Sequence, residues 1–163
     1  MTPAAYLNSL SAAAARAALG RCCGARHWVD AMLAARPFAS DAELLATAER
    51  VWWKLGRADW LEAFAAHPRI GDRREATTDW ARSEQAGADG AAEATLAALA
   101  QEHRAYEQRF GHVFLISATG KTADEMLGAL RGRLTNDPAT ELRVAAEEHA
   151  KITRLRLDKL VAS

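Results

Sequence analysis

The sequence has few of the residues that mark the unusual classes of protein. It contains two cysteines, four prolines and ten glycines among 163 residues, and its 21 Lys and Arg balance 21 Asp and Glu. This composition excludes a disulfide framework, a collagen-like repeat and a disordered chain. The lack of surplus positive charge argues against binding to nucleic acid. No apolar run approaches the roughly 18 residues that span a bilayer, so we expect no membrane segment.

The two cysteines, Cys22 and Cys23, are adjacent in the sequence. A disulfide between sequence neighbours is strained, and zinc ligands are normally separated by at least two residues. Two free thiols in a reducing compartment are therefore expected. The Ala-rich stretch 1–19 has no basic n-region, so it is interpreted as a helix start rather than a signal peptide, and a cytoplasmic protein is expected.

Helix is the structure that the composition favours, because half the residues are hydrophobic and alanine is very frequent. Residues 41–55 carry an apolar stripe at the spacing of an amphipathic helix, with Ser40 and Glu43 as a capping box. Thr122 and Glu125 form a second such box. Further helices are predicted over 60–65, 80–85, 91–110 and 138–160, with Gly111 ending the helix over 91–110. Residues 113–116 are too short a run for a helix and are predicted to be a buried extended segment.

We therefore predict an all-α fold of about eight helices in a single domain over residues 1–163. No repeat, linker or shift in composition divides the chain.

His67 is the first candidate for a chemical role. Pro68 disfavours helical dihedrals at the residue before it, so His67 is expected on an irregular segment just after a helix. A histidine held in this way suits proton transfer, since its side chain titrates near neutral pH. The alternative is a histidine that only caps the end of the helix.

Two other clusters are candidates for binding a polar substrate. Ser83, Glu84 and Gln85 offer a carboxylate beside an amide, which can bind urea-like groups, although the same residues are typical of a solvated helix start. Arg154 and Arg156 lie in the last helix, where one arginine turned inward would clamp a carboxylate through two hydrogen bonds.

Taken together, these pieces resemble one family. They are the segments Ala66-His67-Pro68-Arg69-Ile70-Gly71-Asp72, Ser83-Glu84-Gln85-Ala86-Gly87, Arg109 to Ile116, Arg133-Leu134-x-Asn136, and Glu148 to Leu160 with its Leu155-Arg156-Leu157. In this order they are similar to the 2-oxo-4-hydroxy-4-carboxy-5-ureidoimidazoline (OHCU) decarboxylases. The resemblance implies an all-helical, cofactor-free enzyme that forms (S)-allantoin in urate degradation.

The resemblance also implies roles for particular residues. His67 and Glu84 would be catalytic, with the order of proton transfer between them left open. The implied substrate-binding residues are Pro68, Ser83, Gln85, the Phe114, Leu115 and Ile116 segment, and Arg156, with Arg154 as the alternative arginine. No metal is implied, and a homodimer that binds a small ureidoimidazoline is expected, its five tryptophans offering apolar surface.

Two other functions remain as alternatives. One is a helical binding or scaffold domain that keeps the fold without the reaction. The other is a metal-dependent hydrolase, for which His103 and Glu107 have helical i, i+4 spacing, although a core histidine or a solvated ion pair also accounts for that spacing.

Overall fold

The computed structural model describes residues 1–68 and 93–161, and the regular structure in these two ranges is helical. The helices are α1 (Pro3–Ser9), α2 (Ala12–Cys22), α3 (Arg26–Ala35), α4 (Asp41–Lys54), α5 (Arg57–Ala65), α6 (Glu93–Phe110), α7 (Ala123–Arg133) and α8 (Pro138–Asp158), followed by a 3-10 turn at Lys159–Val161. The all-α prediction is confirmed. The helix predicted over 80–85 lies outside the described residues.

The chain divides into two compact units. The first unit consists of Met1–Ala66 with Ala150–Ser163, and the second is His67–His149. Helix α8 belongs to both, because its first residues up to His149 lie in the second unit and the rest lie in the first. The single domain over residues 1–163 stays a prediction.

The core of the first unit is built around α3. Its Trp28 has no exposed surface, and the indole Nε1 donates a hydrogen bond of 3.1 Å to the carbonyl of Ala48 in α4. Helix α3 also packs against α2 and α5. Cys22 and Cys23 are both buried and both free, as the sequence predicts. Burial raises the pKa of each thiol to about 12, because a thiolate would lose its hydration there.

The core of the second unit forms where α6 packs against α7. Tyr106 of α6 and Met126 and Leu130 of α7 are fully buried, and Phe114 and Ile116 from the segment between the two helices join them. Gly111 ends α6 with a φ of +81°, a left-handed conformation that suits glycine, and its amide donates to the carbonyl of Glu107 at 2.8 Å. The predicted helix stop at this glycine is confirmed.

The two predicted capping boxes have different outcomes. Thr122 and Glu125 form the complete box, with the Thr122 hydroxyl accepting from the Glu125 amide at 3.1 Å and the Glu125 carboxylate accepting from the Thr122 amide. At α4 the Ser40 hydroxyl accepts from Glu43 as predicted, but the Glu43 carboxylate accepts from the amide of Ala39, one residue earlier. The prediction of a full box at Ser40 is therefore wrong in its second half.

Within the described ranges, no helix combines the length and the apolar character needed to cross a membrane.

Candidate active site

His67 lies two residues beyond the end of α5, in an irregular and half-buried position before Pro68. This is the placement that the proline predicts. The His67 ring contacts the ring of His149 edge to face, with 4.9 Å between centroids and 89° between planes. His67 is therefore held against a neighbour, and its role in proton transfer stays a prediction.

His149 is a site residue that the sequence did not indicate. It belongs to the apolar stripe of α8 and has no exposed surface, which fits a structural histidine. Its neighbour His67 is far away in the sequence, so no spacing pattern could signal the contact.

The Phe114, Leu115 and Ile116 segment is buried and non-helical. The predicted burial and the absence of helix are therefore confirmed for these three residues. Their exposed fractions are 1%, 3% and 7%. The Phe114 ring meets the rings of Tyr106 and His103 edge to face, with centroids 5.3 and 5.5 Å away. The segment is thus held by α6, in keeping with a fixed backbone at a binding site.

Arg133, near the end of α7, links this segment to α8. Its Nη1 donates to the carbonyl of Leu115 at 2.5 Å, and its guanidinium carbon lies 4.4 Å from the centre of the Phe114 ring. On its other side Arg133 binds the carboxylate of Glu141, with Nη2 to Oε2 at 2.5 Å and Nε to Oε2 at 3.0 Å. The Arg133 side chain is 11% exposed, and Glu141 is fully buried.

Glu141 is satisfied by further donors, as a buried carboxylate must be. The Tyr106 hydroxyl donates to Oε2, and the Asn136 side-chain amide donates to Oε1 at 3.1 Å. Burial and the hydrogen bond to Glu141 raise the pKa of Tyr106 well above its usual value. Asn136 itself is fixed through its carbonyl, which accepts from Arg109 at 2.6 Å.

Glu148 of α8 binds the backbone just beyond the segment. Its Oε1 accepts from the amide of Ser117 at 3.0 Å, and the carbonyl of Ser117 accepts from Lys121 Nζ at 2.9 Å. The N–H and the carbonyl of Ile116 have no hydrogen-bond partner among the described residues. One donor and one acceptor on the same residue are therefore available to a ligand.

The other predicted site residues are placed as follows. Pro68 is described and half-buried, whereas Ser83, Glu84 and Gln85 lie outside the described residues. Their predicted roles, catalytic for Glu84 and substrate-binding for Pro68, Ser83 and Gln85, stay predictions.

Arg156 and Arg154 belong to the part of α8 in the first unit. Arg156 is half-buried and donates from Nη1 to the carbonyl of Arg21 at 3.2 Å. Arg154 is exposed and borders a shallow cavity beside Glu49 and Trp52. Arg156 therefore has the more fixed side chain, and its role as the substrate-binding arginine stays a prediction, with Arg154 as its alternative.

The pair suggested for a metal-dependent hydrolase is not arranged as a site. His103 is 1% exposed and its ring packs against Phe114, which is the placement of a core histidine. Among the described residues, no group of three or more His, Cys, Asp or Glu is placed to hold a metal ion.

Comparison with known proteins identifies the family. The OHCU decarboxylase family model matches residues 8–158. The chain is 41% identical over 146 residues to the uric acid degradation bifunctional protein TTL of Arabidopsis thaliana, covering 85% of this chain and 45% of that protein. It is 30% identical over 139 residues to the OHCU decarboxylase of Haloferax volcanii, covering 83% of this chain and 82% of that enzyme. The chain thus spans less than half of the bifunctional relative but most of the single-function one.

Solved structures agree with this assignment. An OHCU decarboxylase crystallised in the presence of (S)-allantoin superposes with a TM-score of 0.77 at 36% identity, over 88% of this chain and 96% of that one. An (S)-allantoin synthase shares the fold, with a TM-score of 0.74 at 22% identity. The resemblance seen in the sequence is confirmed, and the chain belongs to the OHCU decarboxylase family, the carboxy-lyases that act on OHCU in urate degradation.

Proposed function

We propose that this chain converts OHCU to (S)-allantoin by acid/base catalysis, with His67 and Glu84 as the proton-transferring groups. The observation that carries the proposal is the family match over residues 8–158. The half-buried His67, held between Pro68 and the ring of His149, supports the catalytic role of the histidine.

The reaction requires one bond to break and protons to move. The bond between the carboxylate carbon and the ring carbon bearing the hydroxyl breaks, and CO₂ leaves. The electron pair forms a C=C bond to the neighbouring ring carbon, which carries the ureido group, while the electrons of that carbon's C=N bond move to the ring nitrogen, which takes up a proton. That carbon then gains a proton on one face, and the hydroxyl loses its proton to become a carbonyl.

Each proposed residue has a task in this scheme. His67 orients or deprotonates the hydroxyl, and Glu84 handles the other proton. Backbone groups of Phe114, Leu115 and Ile116 hold the ring and stabilise the charge that develops on it, as fixed N–H donors do for other developing anions. Ser83, Gln85 and Pro68 contact the ureido end of the substrate, and Arg156 binds its carboxylate.

The activity is tested by making OHCU in situ, because OHCU is unstable. Urate oxidase and hydroxyisourate hydrolase convert urate to OHCU, and circular dichroism at increasing concentrations of this chain follows the appearance of (S)-allantoin. We expect the rate to rise in proportion to the chain and to be the same with and without EDTA. A rate equal to that of the two upstream enzymes alone would contradict the proposal.

We also propose that the protein is a cytoplasmic homodimer. Support for the dimer comes from Trp53 and Trp60, whose half-buried rings meet edge to face at 5.7 Å on the first unit. Such aromatic side chains are enriched at protein interfaces. Sedimentation at micromolar concentration should give twice the chain mass of 17.7 kDa, and a 17.7 kDa species alone would contradict the dimer.

A further inference from the structure

The Arg133-Leu134-x-Asn136 motif has no role in the reaction as proposed above, yet Arg133 binds the backbone of the binding segment and the Asn136 side chain donates to Glu141, the carboxylate that also binds Arg133. Arg133 bonds the carbonyl of Leu115 with one nitrogen and the buried carboxylate of Glu141 with the other two. Burying a guanidinium and a carboxylate costs free energy unless the pair is well formed. Apolar side chains would therefore be the simpler choice if this contact only stabilised the fold.

The geometry of the peptide group shows which backbone atoms the contact between Arg133 and Leu115 orients. The only cis peptide among the described residues is Arg36–Pro37, so the peptide between Leu115 and Ile116 is trans. In a planar trans peptide the C=O and N–H bonds point in opposite directions. Since the Leu115 carbonyl points at Arg133, the N–H of Ile116 points away from it.

The next peptide is fixed in the same manner. The N–H of Ser117 points at the Glu148 carboxylate, so the carbonyl of Ile116 points away from Glu148. Arg133 and Glu148 thus orient the two peptide groups that flank Ile116. Neither the N–H nor the C=O of Ile116 has a hydrogen-bond partner in the described part of the chain, and this donor and acceptor match the C=O and N–H of a ureide ring.

We propose that Arg133 is a positioning residue for catalysis, held by Glu141 and acting through the Leu115–Ile116 peptide to aim the Ile116 N–H at the ring of the substrate. This inference rests on the proposed function. Arg133 thereby affects the binding of a ligand that it does not contact.

The sequence offers a direct spectroscopic test. The chain has three isoleucines, Ile70, Ile116 and Ile152, and only Ile116 follows a leucine. Labelling with ¹³C-carbonyl Leu and ¹⁵N-Ile therefore gives one ¹³C–¹⁵N peptide signal, from Leu115 and Ile116. The Leu115 carbonyl shift reports the contact with Arg133, and the Ile116 amide shift reports a ligand.

Titration with (S)-allantoin should move the Ile116 amide signal of the wild-type protein and leave that of Ile152 in place. Arg133→Lys keeps the positive charge but cannot reach the Leu115 carbonyl and both Glu141 oxygens together. We expect it to change the Leu115 carbonyl shift, to weaken (S)-allantoin binding about 10-fold and to lower kcat per folded molecule about 10-fold, as for the loss of one hydrogen bond. The dissociation constant is measured on protein that circular dichroism shows to be fully folded, because partial unfolding raises the apparent value. A merely structural role would leave it unchanged there.

Arg131→Lys is the matched control. Arg131 is on the same helix, is 56% exposed and pairs with Glu102 at 2.8 Å, so this variant should behave as the wild type. If Arg133→Lys does not fold, Tyr106→Phe replaces it, because it removes one donor from Glu141 and keeps the ring in the core. It should weaken binding about 3-fold.

The inference is wrong if the wild-type Ile116 amide does not move, or if the folded variant binds (S)-allantoin as the wild type does. Failure of the proposed function is a separate result: the wild-type protein would then not speed the formation of (S)-allantoin from urate.

Discussion

At the scale of the residue, His67 combines a fixed backbone with a side chain that is only half-buried. Pro68, which follows it, disfavours helical dihedrals, and the His149 ring restrains the His67 ring. The residue lies beyond the end of α5 and is half-buried, so it does not fill a core. Chemistry and stability are therefore separable at this position.

His67→Asn should leave the protein folded and inactive. The Asn side chain keeps hydrogen-bonding groups, so we expect a near-native thermal midpoint and a loss in turnover of roughly 10²–10⁴-fold, the usual worth of positioned proton transfer. His27→Asn, at an exposed histidine paired with Asp59, is the control. Wild-type turnover in folded His67→Asn would remove the residue from the mechanism.

The two arginines of α8 differ in their surroundings, and so should their variants. Arg156→Lys keeps the charge but cannot make the proposed bidentate contact with the substrate carboxylate. We therefore expect a loss in kcat/KM that corresponds to about 1 to 3 kcal/mol of transition-state stabilisation. Arg154→Lys, at an exposed position, should have little effect. Steady-state kinetics of both variants checks this, and a larger loss in Arg154→Lys would identify that arginine as the one that binds substrate.

At the scale of the element, local sequence determines the helices well but their capping less well. The stripe over 41–55 and the Thr122 box predict α4 and the start of α7 from neighbouring residues alone. The N-cap of α3 is Ala25, which has no side chain that can cap the helix. The Arg26 amide instead donates to Glu62 of α5 at 2.8 Å. Asp41 of α4 does the same for the Ala4 amide of α1 at 2.9 Å. Such caps come from other helices, so no local pattern can reveal them.

Glu62 should therefore contribute to stability through a helix other than its own. The bonds from the backbone and side chain of Arg26 lower the pKa of the Glu62 carboxyl, which marks it as an acceptor in its charged form. Glu62→Ala should lower the free energy of unfolding by about 1 kcal/mol, as for other lost N-caps. Urea denaturation measures this. Glu147→Ala, which removes an exposed i, i+4 pair with Arg143, should cost only about 0.3 kcal/mol, and equal losses in both variants would contradict the capping role.

At the scale of the whole molecule, stability should decline in alkaline solution. The thiols of Cys22 and Cys23 have pKa values raised from 9.0 to about 12 by burial, so the unfolded chain loses these protons at lower pH than the folded one. The stabilisation that comes from keeping these thiols protonated is complete below pH 9. It is lost as the pH rises toward 12, at about 1.4 kcal/mol of unfolding free energy per pH unit for each thiol. The buried Tyr106 hydroxyl acts in the same direction.

Urea denaturation between pH 8 and 11 tests this expectation. The double variant Cys22→Ala, Cys23→Ala is expected to be less stable at neutral pH, because it leaves cavities, but to show a shallower decline with pH. An equal slope in the variant and the wild type would assign the alkaline loss to other groups.

The candidate site shows which information is local and which is not. The position of His67 follows from one proline, and the buried Phe114, Leu115 and Ile116 segment follows from its composition and from Gly111. Other contacts join residues from different parts of the chain. They are the Arg133–Glu141 pair, the hydrogen bond from the Tyr106 hydroxyl to Glu141, and the contact between the rings of His67 and His149. The motif around Arg133 is visible in the sequence, but its purpose depends on the carbonyl that it meets in the fold.

The division of the chain also sets the order in which the protein can be completed during synthesis. The first unit needs residues from Ala150 onward, which leave the ribosome after all of His67–His149. The second unit therefore has all of its residues before the first one does. Arg156, the proposed carboxylate ligand, follows all of His67–His149 in the chain, so a nascent chain acquires its complete set of proposed site residues only when nearly all of α8 has been translated.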